Sequence, residues 1–84
     1  MKDNLIATLT FEFALSIIGL TQKLRMEREF IISKQLFRSG TSIGANVQES
    51  TAAQSRNDFI SKLTIANKEA RETKYWLNLL KIRA

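Results

Sequence analysis

The sequence of 84 residues contains no cysteine, no histidine and no proline. Without cysteine, the chain can form no disulfide framework and no thiolate metal site, and it has no thiol nucleophile. Without histidine, it lacks the side chain that most often serves as a general base and the imidazole ligand of many zinc sites. We therefore predict a protein that is not an enzyme and that uses no cofactor.

Turn-forming residues are also scarce, since the chain has three glycines and no proline. Folds with many strands need frequent turns, which these residues normally supply. The apolar fraction of 44% is ordinary for a globular domain and consists mainly of leucine, isoleucine and alanine. The composition predicts an all-α protein of one domain spanning residues 1–84. Because so short a chain buries little core, we expect it to cover an apolar face with copies of itself.

Three helices are predicted from the spacing of apolar residues, at about residues 4–24, 27–53 and 56–82. The first presents an apolar stripe wider than a coiled-coil seam, formed by Ile6, Phe13, Ile17, Leu20 and Leu24. Asp3 or Asn4 precedes this helix and can cap its free N–H groups. A short charged connection to the second helix favours antiparallel neighbours.

The second helix contains Gly40 and Gly44, each of which costs about 1 kcal/mol relative to alanine in a helix interior. A loop between two shorter helices is the alternative. One continuous helix is favoured because the apolar period keeps its phase across the glycines. Small residues four apart would also let a neighbouring backbone approach closely. Glu27 and Glu29 are predicted to lie in the first turn, where carboxylates complement the helix dipole.

The third helix carries the most regular apolar seam, with alternating spacings of four and three residues. Its members are Phe59, Leu63, Ala66, Ala70, Thr73, Leu77 and Leu80. Ser55 is a good N-cap for this helix, and Asp58 three residues later makes a weaker capping box. The predicted architecture is an up-and-down antiparallel helical bundle with three long helices, completed by oligomerisation.

Basic residues exceed acidic ones by five and concentrate on the third helix. Clustered lysine and arginine side chains are typical of surfaces that bind phosphate backbones. The candidate contacts to RNA or DNA are Arg56, Lys62, Lys68, Arg71, Lys74 and Lys81. Tyr75 and Trp76 are the aromatic residues near them, and Trp76 is better suited to the core, so binding would have little sequence specificity. A net charge of +5 is also within what solubility alone favours, and this alternative stays open.

Glu69 and Glu72 form an acidic pair at helical spacing. Two carboxylates three residues apart share a face of a helix and could bind a metal or act as acid and base. The flanking bases Lys68, Arg71 and Lys74 favour a different interpretation, in which these residues form ion pairs along one helix.

Polar residues also lie close to the apolar face of the second helix, at Arg38, Asn46 and Glu49. A buried or half-buried network among them could fix how the helices pair, at some cost in stability. A ligand or nucleic-acid role is the alternative, and the structural role is favoured.

Three stretches, 33–47, 53–60 and 68–77, resemble the bacterial four-helix-bundle proteins known as intervening-sequence proteins of 23S ribosomal RNA genes. The accessory variability determinant of diversity-generating retroelements belongs to the same structural group. The resemblance implies an up-and-down bundle that assembles into a ring-like homo-oligomer, pentameric in known cases. It also implies nucleic acid and a reverse transcriptase as possible partners, since the retroelement relative works with both.

The family's recurrent polar positions match residues on the second and third helices. These residues are Arg38, Ser42, Asn46, Glu49, Glu69 and Glu72. The resemblance implies that they specify the bundle and are not catalytic. Family members usually continue past residues 76–80 into a fourth helix, which this sequence lacks. A bundle without that helix exposes an apolar groove that a helix of another subunit could fill, so the oligomer number is left open.

We therefore expect a cytoplasmic, non-enzymatic, self-associating helical bundle protein that contacts nucleic acid or a nucleic-acid enzyme through its basic helix faces. The alternative is a purely structural or protein-interaction module without a nucleic-acid role. No membrane association is expected, because the longest nearly apolar run, at 13–20, is far shorter than the roughly 20 residues of a spanning helix.

Overall fold

The computed structural model describes residues 4–83, with their side chains as far as Ile82. These residues form three helices, which are α1 (Leu5–Met26), α2 (Ile31–Ser50) and α3 (Arg56–Arg83). No strand occurs in this part of the chain. The prediction of an all-α fold with three long helices is confirmed.

Asn4 caps the N-terminus of α1. Its side-chain oxygen Oδ1 accepts a hydrogen bond of 3.1 Å from the backbone N–H of Ala7, the contact expected of an N-cap residue. This confirms one of the two predicted caps. The other, Asp3, lies outside the described residues.

The turn after α1 has the hydrogen bonds of a Schellman motif. The backbone N–H of Glu29 donates to the carbonyl of Leu24 at 2.8 Å. The N–H of Arg28 donates to the carbonyl of Arg25 at 2.9 Å. Arg28 has a φ of 66°, in the left-handed region that this motif requires. α1 consequently continues to Met26, slightly beyond its predicted end.

The predicted start of the second helix is wrong, because α2 begins at Ile31 and Glu27 belongs to the preceding turn. Glu29 also lies before the helix. Its carboxylate accepts hydrogen bonds from the backbone N–H groups of Ile32 at 3.2 Å and Ser33 at 2.8 Å. Glu29 therefore stabilises this N-terminus as a capping side chain outside the helix, not as a charge in its first turn.

Both central glycines lie inside α2, which is one continuous helix as predicted and ends at Ser50, before the predicted end at 53. α1 approaches α2 closely at these glycines. A Cβ atom at Gly40 would lie 2.8 Å from Cγ1 of Ile17. A Cβ atom at Gly44 would lie 3.1 Å from the backbone oxygen of Thr10. The predicted close approach of a neighbouring helix is thus confirmed, and it positions α1 on one side of α2.

A variant of the predicted capping box begins α3, in which the carboxylate of Asp58 reaches the residue before the N-cap. Oγ of Ser55 accepts a hydrogen bond of 3.0 Å from the N–H of Asp58, whose carboxylate accepts one of 3.2 Å from the N–H of Gln54. The helix then runs without glycine or proline for 28 residues to Arg83. At 1.5 Å per residue its length is about 42 Å, which matches the longest dimension of the molecule, 43 Å.

α2 lies between the two other helices. Both α1 and α3 pack along α2, whereas no Cα atom of α1 comes within 8 Å of one of α3 in the described part of the chain. The core lies where side chains of all three helices meet, around the buried residues Ile17, Leu24 and Leu36. Half-buried side chains pack against this cluster, and they are Phe13, Leu20, Trp76, Leu77 and Leu80.

α1 is buried on one side only. Ile17, Thr21 and Leu24 are buried, whereas six large apolar residues are more than half exposed, namely Leu5, Ile6, Leu9, Phe11, Leu15 and Met26. α1 is long and apolar enough to cross a membrane by length and composition, which the short run at 13–20 did not indicate. Signal sequences and core helices of soluble proteins meet the same criterion, but such core helices are mostly buried, whereas 11% of the most apolar window of α1 is buried. The chain exposes 6300 Å² in all, compared with roughly 5,100 Å² for a compact protein of its size.

Candidate functional site

Arg38 of α2 joins two carboxylates of α3. Its Nη1 lies 3.1 Å from Oε1 of Glu69, and its Nη2 contacts Oε2 of Glu72. The same oxygen of Glu72 accepts a hydrogen bond of 3.0 Å from Nε1 of Trp76. The side chain of Glu69 is 12% exposed and that of Arg38 is 49% exposed, so the ion pair lies at the edge of the α2–α3 contact. We call these four residues the Arg38 network.

The partner of the acidic pair differs from the one predicted. Glu69 and Glu72 form no ion pair with the neighbouring bases of their own helix among the described residues, and they pair with Arg38 of α2. The physical reason is tertiary: packing of α3 on α2 places both carboxylates beside one guanidinium, whose planar fork suits carboxylate oxygens. Spacing along α3 alone could not show this contact.

The predicted network of Arg38 with Asn46 and Glu49 does not form. Asn46 is about 12 Å further along α2 than Arg38, because eight residues separate them at 1.5 Å each. Nδ2 of Asn46 donates instead to the carbonyl of Ser42 at 2.9 Å and approaches Oγ of Ser42 at 3.2 Å. Glu49 is exposed on α2. Of the six polar residues predicted to specify the bundle, three therefore join two helices, and that role stays a prediction for all six.

The acidic pair is poorly placed to bind a metal ion. Both carboxylates of Glu69 and Glu72 already contact a guanidinium, which opposes the approach of a cation. In residues 4–83, no group of three or more Asp and Glu residues converges on a point that could hold a metal. The arrangement links two helices, and nothing in it indicates catalysis.

Buried hydroxyl groups lie between α2 and α3. Ser39 and Thr73 are 0% and 2% exposed, and their oxygens are 2.9 Å apart in a hydrogen bond. Spacing along the chain did not predict this pair, although a threonine within the apolar seam of α3 was a signal for it. Ser33 is also buried, and its Oγ has no hydrogen-bond partner among the described residues.

The six candidate nucleic-acid contacts do not share one face of α3. Nζ of Lys62 lies 3.7 Å from Oδ1 of Asp58, so part of its charge is balanced. Arg56 and Lys81 lie near opposite ends of the helix, roughly 37 Å apart at 1.5 Å per residue. The other three candidates are Lys68, Arg71 and Lys74. They follow one another at intervals of three residues, and all are exposed.

Tyr75 lies beside these three bases. Arg71 and Tyr75 are each two residues from the buried Thr73, so at about 100° per residue both point away from α2. Tyr75 is 57% exposed. We call Lys68, Arg71 and Tyr75, together with Lys74 at the rim, the outward face of α3. Trp76 packs on the core cluster, in agreement with the prediction that it is better suited to the core.

A family model described as 23S rRNA-intervening sequence protein matches residues 2–84. The chain belongs to the 23S rRNA-intervening sequence protein family. This confirms the resemblance that three sequence stretches indicated. No curated protein matches the chain.

A solved structure from Bacteroides thetaiotaomicron is similar to this family member over most of its length. It is described as a protein with unknown function from the S23 ribosomal protein family, and it is 55% identical with a TM-score of 0.87. The match covers 89% of this chain and 70% of that chain. The likeness establishes the fold and the family of this chain.

Proposed function

We propose that this member of the 23S rRNA-intervening sequence protein family is a cytoplasmic, non-enzymatic module that self-associates and binds RNA or DNA through the outward face of α3. The proposal rests mainly on the separation of acidic from basic side chains around α3. Self-association has separate support in the apolar surface of α1.

Most of the excess positive charge belongs to α3. Residues 56–83 include seven basic and three acidic residues, so four of the chain's five net positive charges lie on this helix. The acidic residues are Asp58, Glu69 and Glu72. At about 100° per residue, these three fall within an arc of roughly 60° on one flank of the helix. Among the described residues, no basic residue of α3 other than Lys62 forms an ion pair with these acids.

The acidic side chains on this flank of α3 all lie beside cationic groups. Glu69 and Glu72 contact Arg38, and Asp58 lies beside Lys62. The outward face is left with three cations and one aromatic ring. Such a surface favours phosphate backbones through the release of counterions, which makes binding weaker as salt rises and nearly independent of base sequence.

Self-association is supported by the area that the chain exposes. The excess over a compact protein of this size is roughly 1,200 Å², and a standard interface buries about 800 Å² per partner. Among the described residues, six large apolar residues that are more than half exposed lie on α1, compared with two on α3, and the backbones of these two helices are not in contact. Assembly through α1 would therefore leave the outward face of α3 free and would bring several copies of it together. The family resemblance supports a ring-like arrangement of the copies.

Binding can be tested by fluorescence anisotropy with RNA and DNA over a series of salt concentrations. Lys68→Gln/Arg71→Gln removes two charges from the outward face. Lys23→Gln/Lys34→Gln removes two exposed charges from α1 and α2 and is the matched control. We expect the first variant to lower the slope of log affinity against log salt by about 1.4 to 1.8 units, and the control to change the slope much less.

Equal effects of the two variants would contradict a role for this face. Absence of binding to any nucleic acid at low salt would overturn the nucleic-acid part of the proposal. Copurification of a specific protein, for example a reverse transcriptase, that survives nuclease treatment would then favour the alternative of a protein-interaction module.

Self-association can be tested by sedimentation velocity at micromolar concentration. Leu15 is 55% exposed, so Leu15→Lys places a charge on α1 without disturbing the packed side of the helix. We expect it to shift the protein towards smaller species, while Ser61→Lys on the exposed surface of α3 leaves the distribution unchanged. A wild-type protein that sediments as a monomer would overturn this part of the proposal.

A further inference from the structure

We infer that the outward face of α3 prefers single-stranded to double-stranded nucleic acid, with Tyr75 as the residue on which an unpaired base stacks. The inference rests on the proposed nucleic-acid function and adds to it the class of ligand and the residue that selects it.

Tyr75 is placed among the phosphate-binding candidates. Its side chain is 57% exposed. Arg71 precedes it by about one helical turn and Lys68 by about two, roughly 6 Å and 10 Å along the axis. At about 100° per residue, all three lie within an arc of roughly 60°. A strand whose backbone contacts Lys68 and Arg71 would therefore bring its bases within reach of the ring.

The tyrosine ring packs against the ring of Trp76. Its centroid lies 5.1 Å from that of Trp76, in an edge-to-face contact with an interplanar angle of 70°. Trp76 is fixed in turn, because it packs on the core cluster and donates from Nε1 to Glu72. Glu72 is held by Arg38 of α2. The Arg38 network thus orients the ring before any ligand arrives, which reduces the entropy lost on binding.

An exposed, oriented aromatic ring distinguishes unpaired from paired bases. Bases within a duplex are stacked on one another, and their faces are closed to a protein side chain. Bases of a single strand can turn outwards and stack on tyrosine whatever their identity, since every base has a π-face. Cationic groups beside such a ring are the usual composition of single-strand binding surfaces. A duplex can use the cations of this face but not the ring.

The test compares an unstructured single strand with the same strand annealed to its complement, both as RNA and as DNA, by anisotropy at low salt. We expect Tyr75→Ala to weaken single-strand binding by about 5- to 150-fold, with a much smaller effect on the duplex. Tyr75→Phe keeps the ring and should retain single-strand affinity. Phe30→Ala removes an aromatic side chain that is also 57% exposed but lies before α2, and it is the control outside the site.

Fluorescence of Trp76 supplies a second readout, because it is the chain's one tryptophan and contacts Tyr75. We expect single strands to change its emission in the wild type and in Tyr75→Phe, and to change it little in Tyr75→Ala. Equal losses of single-strand and duplex binding in Tyr75→Ala, or no loss in either, would overturn the stacking role while leaving the proposed function intact. Failure of every probe to bind the wild type would overturn both.

Discussion

The hydroxyl oxygens of Ser39 and Thr73 lie 2.9 Å apart where α2 packs on α3, and both residues are buried. Oγ1 of Thr73 is also 2.8 Å from the carbonyl oxygen of Glu69. Because a carbonyl can only accept, the Thr73 hydrogen belongs to that bond, and the Ser39 hydroxyl donates to Thr73. The Thr73 hydroxyl therefore donates its hydrogen bond within α3, whereas the Ser39 hydroxyl depends on Thr73 for an acceptor.

Removing the two hydroxyls should have unequal effects. Thr73→Val keeps the shape of the side chain but leaves the buried Ser39 hydroxyl without this partner, so we expect a loss of about 1–2 kcal/mol in the free energy of unfolding. Ser39→Ala leaves the Thr73 bond to the Glu69 carbonyl intact and should cost less. Urea denaturation at one protein concentration measures both, and the double variant should recover part of the Thr73→Val loss. A larger cost for Ser39→Ala would contradict the assigned direction of the hydrogen bond.

Alanine should have opposite effects at Gly40 and Gly19. A Cβ atom at Gly40 would meet Cγ1 of Ile17 at 2.8 Å, whereas one at Gly19 would meet nothing within 4 Å. We expect Gly40→Ala to destabilise the protein by about 1–3 kcal/mol through overpacking. Gly19→Ala should stabilise it by about 0.5–1 kcal/mol, because alanine favours the helix. Thermal unfolding followed by circular dichroism checks both, and stabilisation by Gly40→Ala would show that α1 can move away.

Loss of the Arg38 guanidinium should destabilise the contact of α2 with α3. Arg38→Gln leaves two neighbouring carboxylates without their cation, and that of Glu69 is largely buried. We expect a cost of about 1–2 kcal/mol, above the 0.2–1 kcal/mol of an exposed pair. The difference from wild type should shrink as salt is raised. Arg71→Gln removes an exposed charge of the outward face and should change stability by less than about 0.5 kcal/mol. Equal costs for the two variants would assign the Arg38 network no role in stability.

The two acidic residues before α2 should differ in importance. Glu29→Ala removes the acceptor of the Ile32 and Ser33 N–H groups and should cost about 1 kcal/mol. Glu27→Ala should be nearly neutral, because Glu27 is exposed in the turn. Chemical denaturation of both variants is the measurement. A cost for Glu27→Ala as large as that for Glu29→Ala would mean that long-range attraction to the helix dipole, and not capping, stabilises this N-terminus.

Local features were predictable where the interacting groups are close in sequence. The Ser55 and Asp58 capping box and the Asn4 cap involve groups three or four residues apart. Residue type and spacing are sufficient to predict such contacts. The start of α2 was mispredicted because residue type and spacing do not distinguish Glu27 from Glu29. Only the geometry of the turn shows that Glu29 is the residue that caps the helix.

The sequence by itself determined the three helices, most of their caps, the family and the place where α1 could approach α2. Only the tertiary structure decided which groups meet across helices. Arg38 and Glu69 are 31 residues apart, and Ser39 and Thr73 are 34 apart. Their contact depends on the rotation of α3 against α2, which side-chain packing determines and which no local spacing records. That rotation turns the acidic flank of α3 towards Arg38, and it leaves Lys68, Arg71 and Tyr75 facing outwards.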